Sequence, residues 1–174
     1  MEDIIQNPAN ICPREIFERL VLTPVRFWSF DGKEDEGNIV IDCDLVGDVK
    51  NLFTLMLREK FPIRSVVPIS DARFGWNDEH SMQANNTSAF NYRTIAGRTK
   101  ISNHARGRAI DINPLFNPFI KGETIQPRGA VYNPSRSGTI TADSFIVAFL
   151  KSRGWTWGGE WTSLKDYQHF EKEM

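Results

Sequence analysis

The sequence is poor in cysteine, carries no excess of either charge and contains no long apolar run. Its 2 cysteines, Cys12 and Cys43, follow no C-x-x-C or other metal-site spacing, and they are too few for the disulfide framework of a small secreted scaffold. Both are expected to be free structural thiols. With 21 Lys+Arg against 22 Asp+Glu the formal net charge is -1, which excludes nucleic-acid binding driven by bulk charge. No segment approaches the roughly 20 apolar residues of a membrane-spanning helix, so membrane insertion is not expected. Residues 1–17 hold Glu2, Asp3, Pro8, Pro13 and Glu15 where a secretory signal has a basic start and an apolar run. Any export is then expected to follow another route or the loss of a leader.

What is present suits a globular chain. At 174 residues, 40% hydrophobic and 11% aromatic, the chain fits one domain with a core of useful size. A single domain over residues 1–174, with an N-terminal extension at 1–20, and a monomeric state are expected. Residues 24–44 read as a hairpin, because Val25, Phe27, Ile39 and Ile41 alternate with polar residues on either side of a loop at 31–37. From Asp44 the period changes: Val46, Val49, Leu52, Phe53 and Met56 recur at helical spacing, with Asp44 as N-cap and Pro62 as stop. Residues 63–69 read as a buried strand, 70–88 as a long polar loop, and the proline-rich 114–137 as an irregular surface crossing. A second helix is expected over 141–153, capped by Thr141 and closed by Gly154. The aromatic segment after it should return to a sheet.

The chemistry concentrates in Ser102-Asn103-His104-Ala105-Arg106-Gly107-Arg108-Ala109-Ile110-Asp111. An imidazole and a carboxylate flank a glycine that lets the backbone turn, so both side chains can reach one point. A catalytic zinc ion takes three N, O or S ligands and keeps one position open, and two histidines with one carboxylate meet that need. His104 and Asp111 supply two. With 3 histidines in the chain, the third imidazole is His169 or His80. His169 is preferred because Asp166, three residues before it, is placed to act as general base without ligating the ion. Glu160 and Glu171 are the alternatives for that base. His80, in a polar stretch, is expected to face solvent.

These residues carry a resemblance. Ser102, His104, Gly107, Ala109 and Asp111, followed by Asp166 and His169, match the pattern S-x-H-x-x-G-x-A-x-D and a later acidic residue, two residues and His. That pattern is the one of the VanY- and VanX-like zinc D-alanyl-D-alanine peptidases. The likeness extends to Asn86-Thr87-Ser88-Ala89-Phe90-Asn91-Tyr92-Arg93 and to Gly154-Trp155-Thr156-Trp157-Gly158-Gly159-Glu160-Trp161.

The resemblance implies an α+β fold, a small and mainly antiparallel sheet backed by helices with a zinc site on its open face. It implies His104, Asp111 and His169 as zinc ligands, Asp166 as base, and an arginine, Arg93 or alternatively Arg73, that stabilises the oxyanion. Ser102 either contacts substrate or fixes its turn by hydrogen bonding. The implied substrate is a peptidoglycan stem peptide, cut as a D-Ala-D-Ala carboxypeptidase cuts it. An L-Ala-D-Glu endopeptidase of endolysin type, and an inactive zinc-retaining wall-binding or signalling module like the hedgehog domains, are the alternatives. The place of action is then the cell wall, in the periplasm or outside the cell.

Overall fold

The computed structural model describes residues 2–7, 9–93 and 101–173. Two short helices, α1 (Glu2–Ile5) and α2 (Arg14–Phe17), precede a hairpin of β1 (Leu20–Ser29) and β2 (Glu34–Asp42). The strands are longer than the expected hairpin, pairing antiparallel from Leu20 opposite Asp42 to Trp28 opposite Glu34. Odd-numbered Val25, Phe27, Ile39 and Ile41 face the main core, and even-numbered Leu20 and Val40 face away from it. That second face is covered by Ile5, Cys12, Ile16 and Phe90, so the N-terminal segment lies as a lid over the back of the hairpin. Cys12 is buried, Cys43 is exposed, and both are free thiols.

The helix expected after the hairpin is α3 (Val46–Arg58), burying Val49, Leu52, Phe53 and Met56. Its cap differs from the expectation. A 3-10 turn at Cys43–Leu45 comes first, and Asp42, not Asp44, accepts the capping bond, from the Asp44 N–H at 3.0 Å. Asp42 is buried and also held by Arg19 and Arg108.

The strand expected over 63–69 is split into β3 (Pro62–Ile63), parallel to β1, and β4 (Ser65–Val66), parallel to β5 (Asn86–Thr87). Side-chain amides explain the break. Asn113 Nδ2 donates to Pro62 O at 2.8 Å, while Asn86 Oδ1 accepts from Ser65 Oγ and Val67 N. The backbone groups around Arg64 thus find side-chain partners and the chain changes sheets. The polar stretch that follows holds a short helix, α4 (Asp78–Gln83), capped by Asn77.

Strand β6 (Ala109–Asp111) comes next. The proline-rich segment after it is more regular than expected, since it forms a hairpin, β7 (Phe119–Lys121) with β8 (Thr124–Gln126). Helix α5 (Phe145–Lys151) is shorter than expected and is capped by Ser144, which accepts from Val147 N, while Thr141 donates instead to Asp143. Gly154 does close it: Gly154 N donates to Lys151 O at 3.0 Å and Trp155 N to Leu150 O at 3.1 Å, the paired bonds of a glycine-terminated helix. The chain then returns to sheets, as expected, through β9 (Thr156–Trp157), β10 (Lys165–Asp166) and β11 (His169–Glu171).

The fold is α+β. Among the described residues the sheets are small, ordered β2-β1-β3, β10-β7-β8, β6-β11-β9 and β4-β5, and mostly antiparallel. The main core joins the inner face of the β1–β2 hairpin to α3, α5, Ile110, Trp157 and Phe170. No helix among the described residues is long and apolar enough to cross a membrane.

Phe53 is 1% exposed at the centre of this core. Phe53→Ala is expected to cost about 3–5 kcal/mol, read as a lower urea midpoint at an unchanged m-value.

Candidate metal centre

His104 sits in a 3-10 turn, Asn103–Arg106, started by Ser102 and closed by Gly107. The buried Ser102 hydroxyl accepts from His104 N at 3.2 Å, the turn-fixing role among the two expected for it. Gly107 has φ +66, and a Cβ there would lie 2.6 Å from Leu20 Cδ2 and 2.8 Å from Asp42 N. Both the left-handed backbone and the close approach require glycine. Gly107 O accepts from Asp42 N at 2.9 Å, which docks the turn on the end of β2. From there β6 runs to Asp111, whose backbone exchanges hydrogen bonds with Ser88.

The third residue arrives from the far end of the chain. β11 pairs antiparallel with β6 so that His169 lies opposite Asp111 and Phe170 opposite Ile110. Opposed residues share a face, so His169 and Asp111 stand together while Phe170 and Ile110 turn into the core. His104 Nε2 is 3.1 Å from His169 Nδ1 and 3.2 Å from Asp111 Oδ2, and His169 Nδ1 is 3.0 Å from Asp111 Oδ1. All three residues are buried.

This donor set fits a zinc ion. Ligand bonds of about 2.0–2.1 Å at tetrahedral angles separate ligand atoms by roughly 3.3–3.4 Å, close to the spacings present. The outward nitrogens are also engaged: His104 Nδ1 lies 2.5 Å from Ala89 O, and His169 Nε2 lies 3.1 Å from Glu171 Oε2. His80, the other histidine weighed as a ligand, is exposed on α4 and lies outside the group. In the other candidate group, Asp42, Cys43 and Asp44, both carboxylates are engaged in ion pairs to Arg19 and Arg108.

Asp166 occupies β10, opposite Phe119 of the β7–β8 hairpin. Gly158 packs on it closely enough that a Cβ there would lie 2.5 Å from Asp166 O. Its Oδ1 is buried without a hydrogen-bond partner among the described residues. Burial pushes the Asp166 carboxyl up to about 7; the charge of Asp111 adds to this, while His169 opposes it. Of the alternative bases, Glu160 pairs with Lys151 at 2.6 Å on the surface, and Glu171 is turned to the far nitrogen of His169.

The two arginines differ. Arg73 is exposed and forms a bidentate pair with its near neighbour Asp71. Arg93 is one-third exposed, pairs with Asp78 at 2.9 Å, and leaves a buried Nε without a partner among the described residues. Its backbone runs beside the histidine turn, since Ser102 N donates to Arg93 O and Asn91 N to His104 O.

Residues 96–172 match the family model described as D-alanyl-D-alanine carboxypeptidase. The resemblance to that peptidase family is therefore shown over the stretch that contains His104, Asp111, Asp166 and His169. No solved structure matches the chain.

Sequence reasoning missed the contacts behind the triad. Glu171 figured only as an alternative base and Asn103 only as a member of the motif run without a role, yet Asn103 Nδ2 donates to Glu171 Oε2 at 2.7 Å. One signal was present: residues two apart in a strand share a face, which places Glu171 beside His169.

The triad sets the pH response of the metal-free protein. Burial alone would raise Asp111, but the imidazoles of His104 and His169 outweigh it and hold the carboxyl well below the usual range. Burial would likewise lower His169, yet its bonds to Asp111 and Glu171 raise it to about 10. Where the folded chain holds a proton that the unfolded chain has lost, stability falls as pH rises. Asp166 does so between its unfolded value of about 3.9 and about 7, and His169 between about 6.5 and about 10. Asp111 acts in the opposite sense, its contribution disappearing on acidification below about 4. Urea midpoints of the metal-free protein are therefore expected to fall from about pH 5 to about pH 10, with Asp166→Asn removing the lower part of the decline. A midpoint that climbs across this range contradicts the assignment.

Proposed function

We propose that the chain is a zinc-dependent peptidase acting on peptidoglycan stem peptides, as a D-Ala-D-Ala carboxypeptidase. The observation that carries the reading is the trio of buried donors, His104 Nε2, His169 Nδ1 and an Asp111 carboxylate, mutually 3.0–3.2 Å apart, beside a carboxyl that burial raises. The family match supports it.

In this reading His104, Asp111 and His169 hold the ion on the face of the β6–β11 pair. Three protein ligands leave a fourth position open, the mark of a catalytic rather than a structural site. When bound, zinc supplies Lewis acidity, which lowers the pKa of water from about 15.7 toward about 7 and polarises a carbonyl. With its carboxyl raised to about 7 by burial, Asp166 can both accept and release a proton near neutral pH.

Asp166 then takes the proton of the attacking water and returns it to the leaving amine. Gly158 against its backbone and the pairing of β10 with β7 hold the carboxylate in place. Arg93 offers its guanidinium to the negative charge that develops on the carbonyl oxygen. Asp78 and Asn91 support that placement, because Asp78 accepts from both Arg93 and Asn91.

Digestion of a defined pentapeptide stem, with products weighed by mass spectrometry, tests the substrate. Loss of one terminal alanine supports the carboxypeptidase. A cut between L-Ala and D-Glu overturns it in favour of the endopeptidase, and zinc binding without hydrolysis favours an inactive module. His104→Ala, Asp111→Ala and His169→Ala are each expected to lose zinc, measured by metal analysis, while His80→Ala retains it. Asp166→Ala is expected to keep zinc and lose about 10²–10⁴-fold in rate. Arg93→Ala should lose about 10²–10³-fold in kcat and Arg73→Ala almost nothing; the reverse result would transfer the oxyanion role to Arg73.

A further inference from the structure

We infer that Glu171 and Asn103 are positioning residues for His169: together they set which of its ring nitrogens faces the triad. The inference rests on metal binding at the triad as proposed above.

The two ring nitrogens of the buried His169 meet different partners. His169 Nδ1 points to Asp111 Oδ1 and His104 Nε2, and His169 Nε2 lies 3.1 Å from Glu171 Oε2. A neutral imidazole has one donor and one acceptor nitrogen, and an ionised carboxylate can only accept. The Glu171 oxygen in this contact acts as an acceptor, since it also accepts from the Asn103 amide. Glu171 therefore assigns the N–H to Nε2 and leaves the Nδ1 lone pair for a cation. A carboxylate behind a ligating histidine also raises the basicity of the ring and fixes its orientation.

Glu171 is itself fixed. The oxygen that faces His169 also accepts from Asn103 Nδ2 at 2.7 Å. Asn103 opens the 3-10 turn that presents His104. One carboxylate oxygen thus ties the turn carrying one candidate ligand to the strand carrying another. His104 receives its orienting contact from a backbone group, Ala89 O, which no substitution removes, whereas His169 depends on a side chain. With two side-chain partners and 24% exposure, Glu171 is unlike a solvated surface glutamate.

Zinc affinity, measured by competition with a chromophoric chelator, tests this in the wild type, Glu171→Gln, Glu171→Ala and Asn103→Ala, with a urea midpoint for each metal-free form. Glu171→Ala is expected to weaken zinc binding about 10–100-fold. Glu171→Gln keeps an acceptor oxygen and should recover most of that loss, and Asn103→Ala should fall between the wild type and Glu171→Ala. In the zinc-loaded wild type the His169 Nε2–H should exchange slowly with water by NMR, a signal retained in Glu171→Gln and lost in Glu171→Ala. Wild-type affinity in Glu171→Ala overturns the inference, as does a glutamine variant that binds no better than alanine. If metal-free Glu171→Ala does not fold, Asn103→Ala decides, and unchanged affinity with unchanged exchange sinks the idea. A wild type that binds no zinc overturns the proposed function instead, before any variant is compared.

Discussion

The site depends on one register, the antiparallel pairing of β11 with β6 that sets His169 opposite Asp111. A strand alternates faces at every residue, so a slip of one position would turn His169 into the core and bring Phe170 out. Core packing guards against that slip. Phe170 and Ile110 are both fully buried on the opposite face, and Phe170 stacks on Trp157 of the neighbouring strand with ring centroids 6.1 Å apart. The apolar side of the sheet thereby fixes the alignment of its polar side, and residues with no chemistry of their own hold His169 and Asp111 together.

A second demand follows, because polar donors buried this close together are electrostatically costly. Asp111 is served by two imidazoles, one of which carries a raised pKa, while Asp166 has a buried oxygen without a hydrogen-bond partner among the described residues. Burying polar groups that lack a partner costs free energy. The surrounding structure is built to bear it. Gly107 docks the histidine turn on β2, and Arg108, buried and bonded to Asp42 and to the carbonyls of Lys172 and Glu173, clamps the first motif to the last residues of the chain.

Legibility of the sequence followed the range of the interactions. The alternation of Val25, Phe27, Ile39 and Ile41 and the spacing of Val49, Leu52, Phe53 and Met56 report burial on one face of a local element, and all are buried in the main core. Gly154 was readable because its effect lies within one helix turn. The strand expected over 63–69 failed for the opposite reason: Asn86 and Asn113, distant in sequence, supply the amides that break it. The β7–β8 hairpin was hidden because its prolines and glycines mark turns without showing that short strands lie between them.

The sequence by itself determined which residues the site would draw on. Scarce histidine and a dense motif around Gly107 singled out His104, Asp111, His169 and Asp166, since side-chain chemistry is a property of the residue type. Tertiary structure alone decided how these groups meet: which imidazole nitrogen faces inward, which arginine lies beside the histidine turn, and which carboxylate stands behind His169. Those choices depend on strand register and on contacts such as Asn103 with Glu171, 2.7 Å apart in space though they belong to opposite ends of the motif-bearing chain. Beyond the strand alternation that puts Glu171 on the face of His169, no local pattern encodes them, because they arise only when separately folded segments are packed on one core.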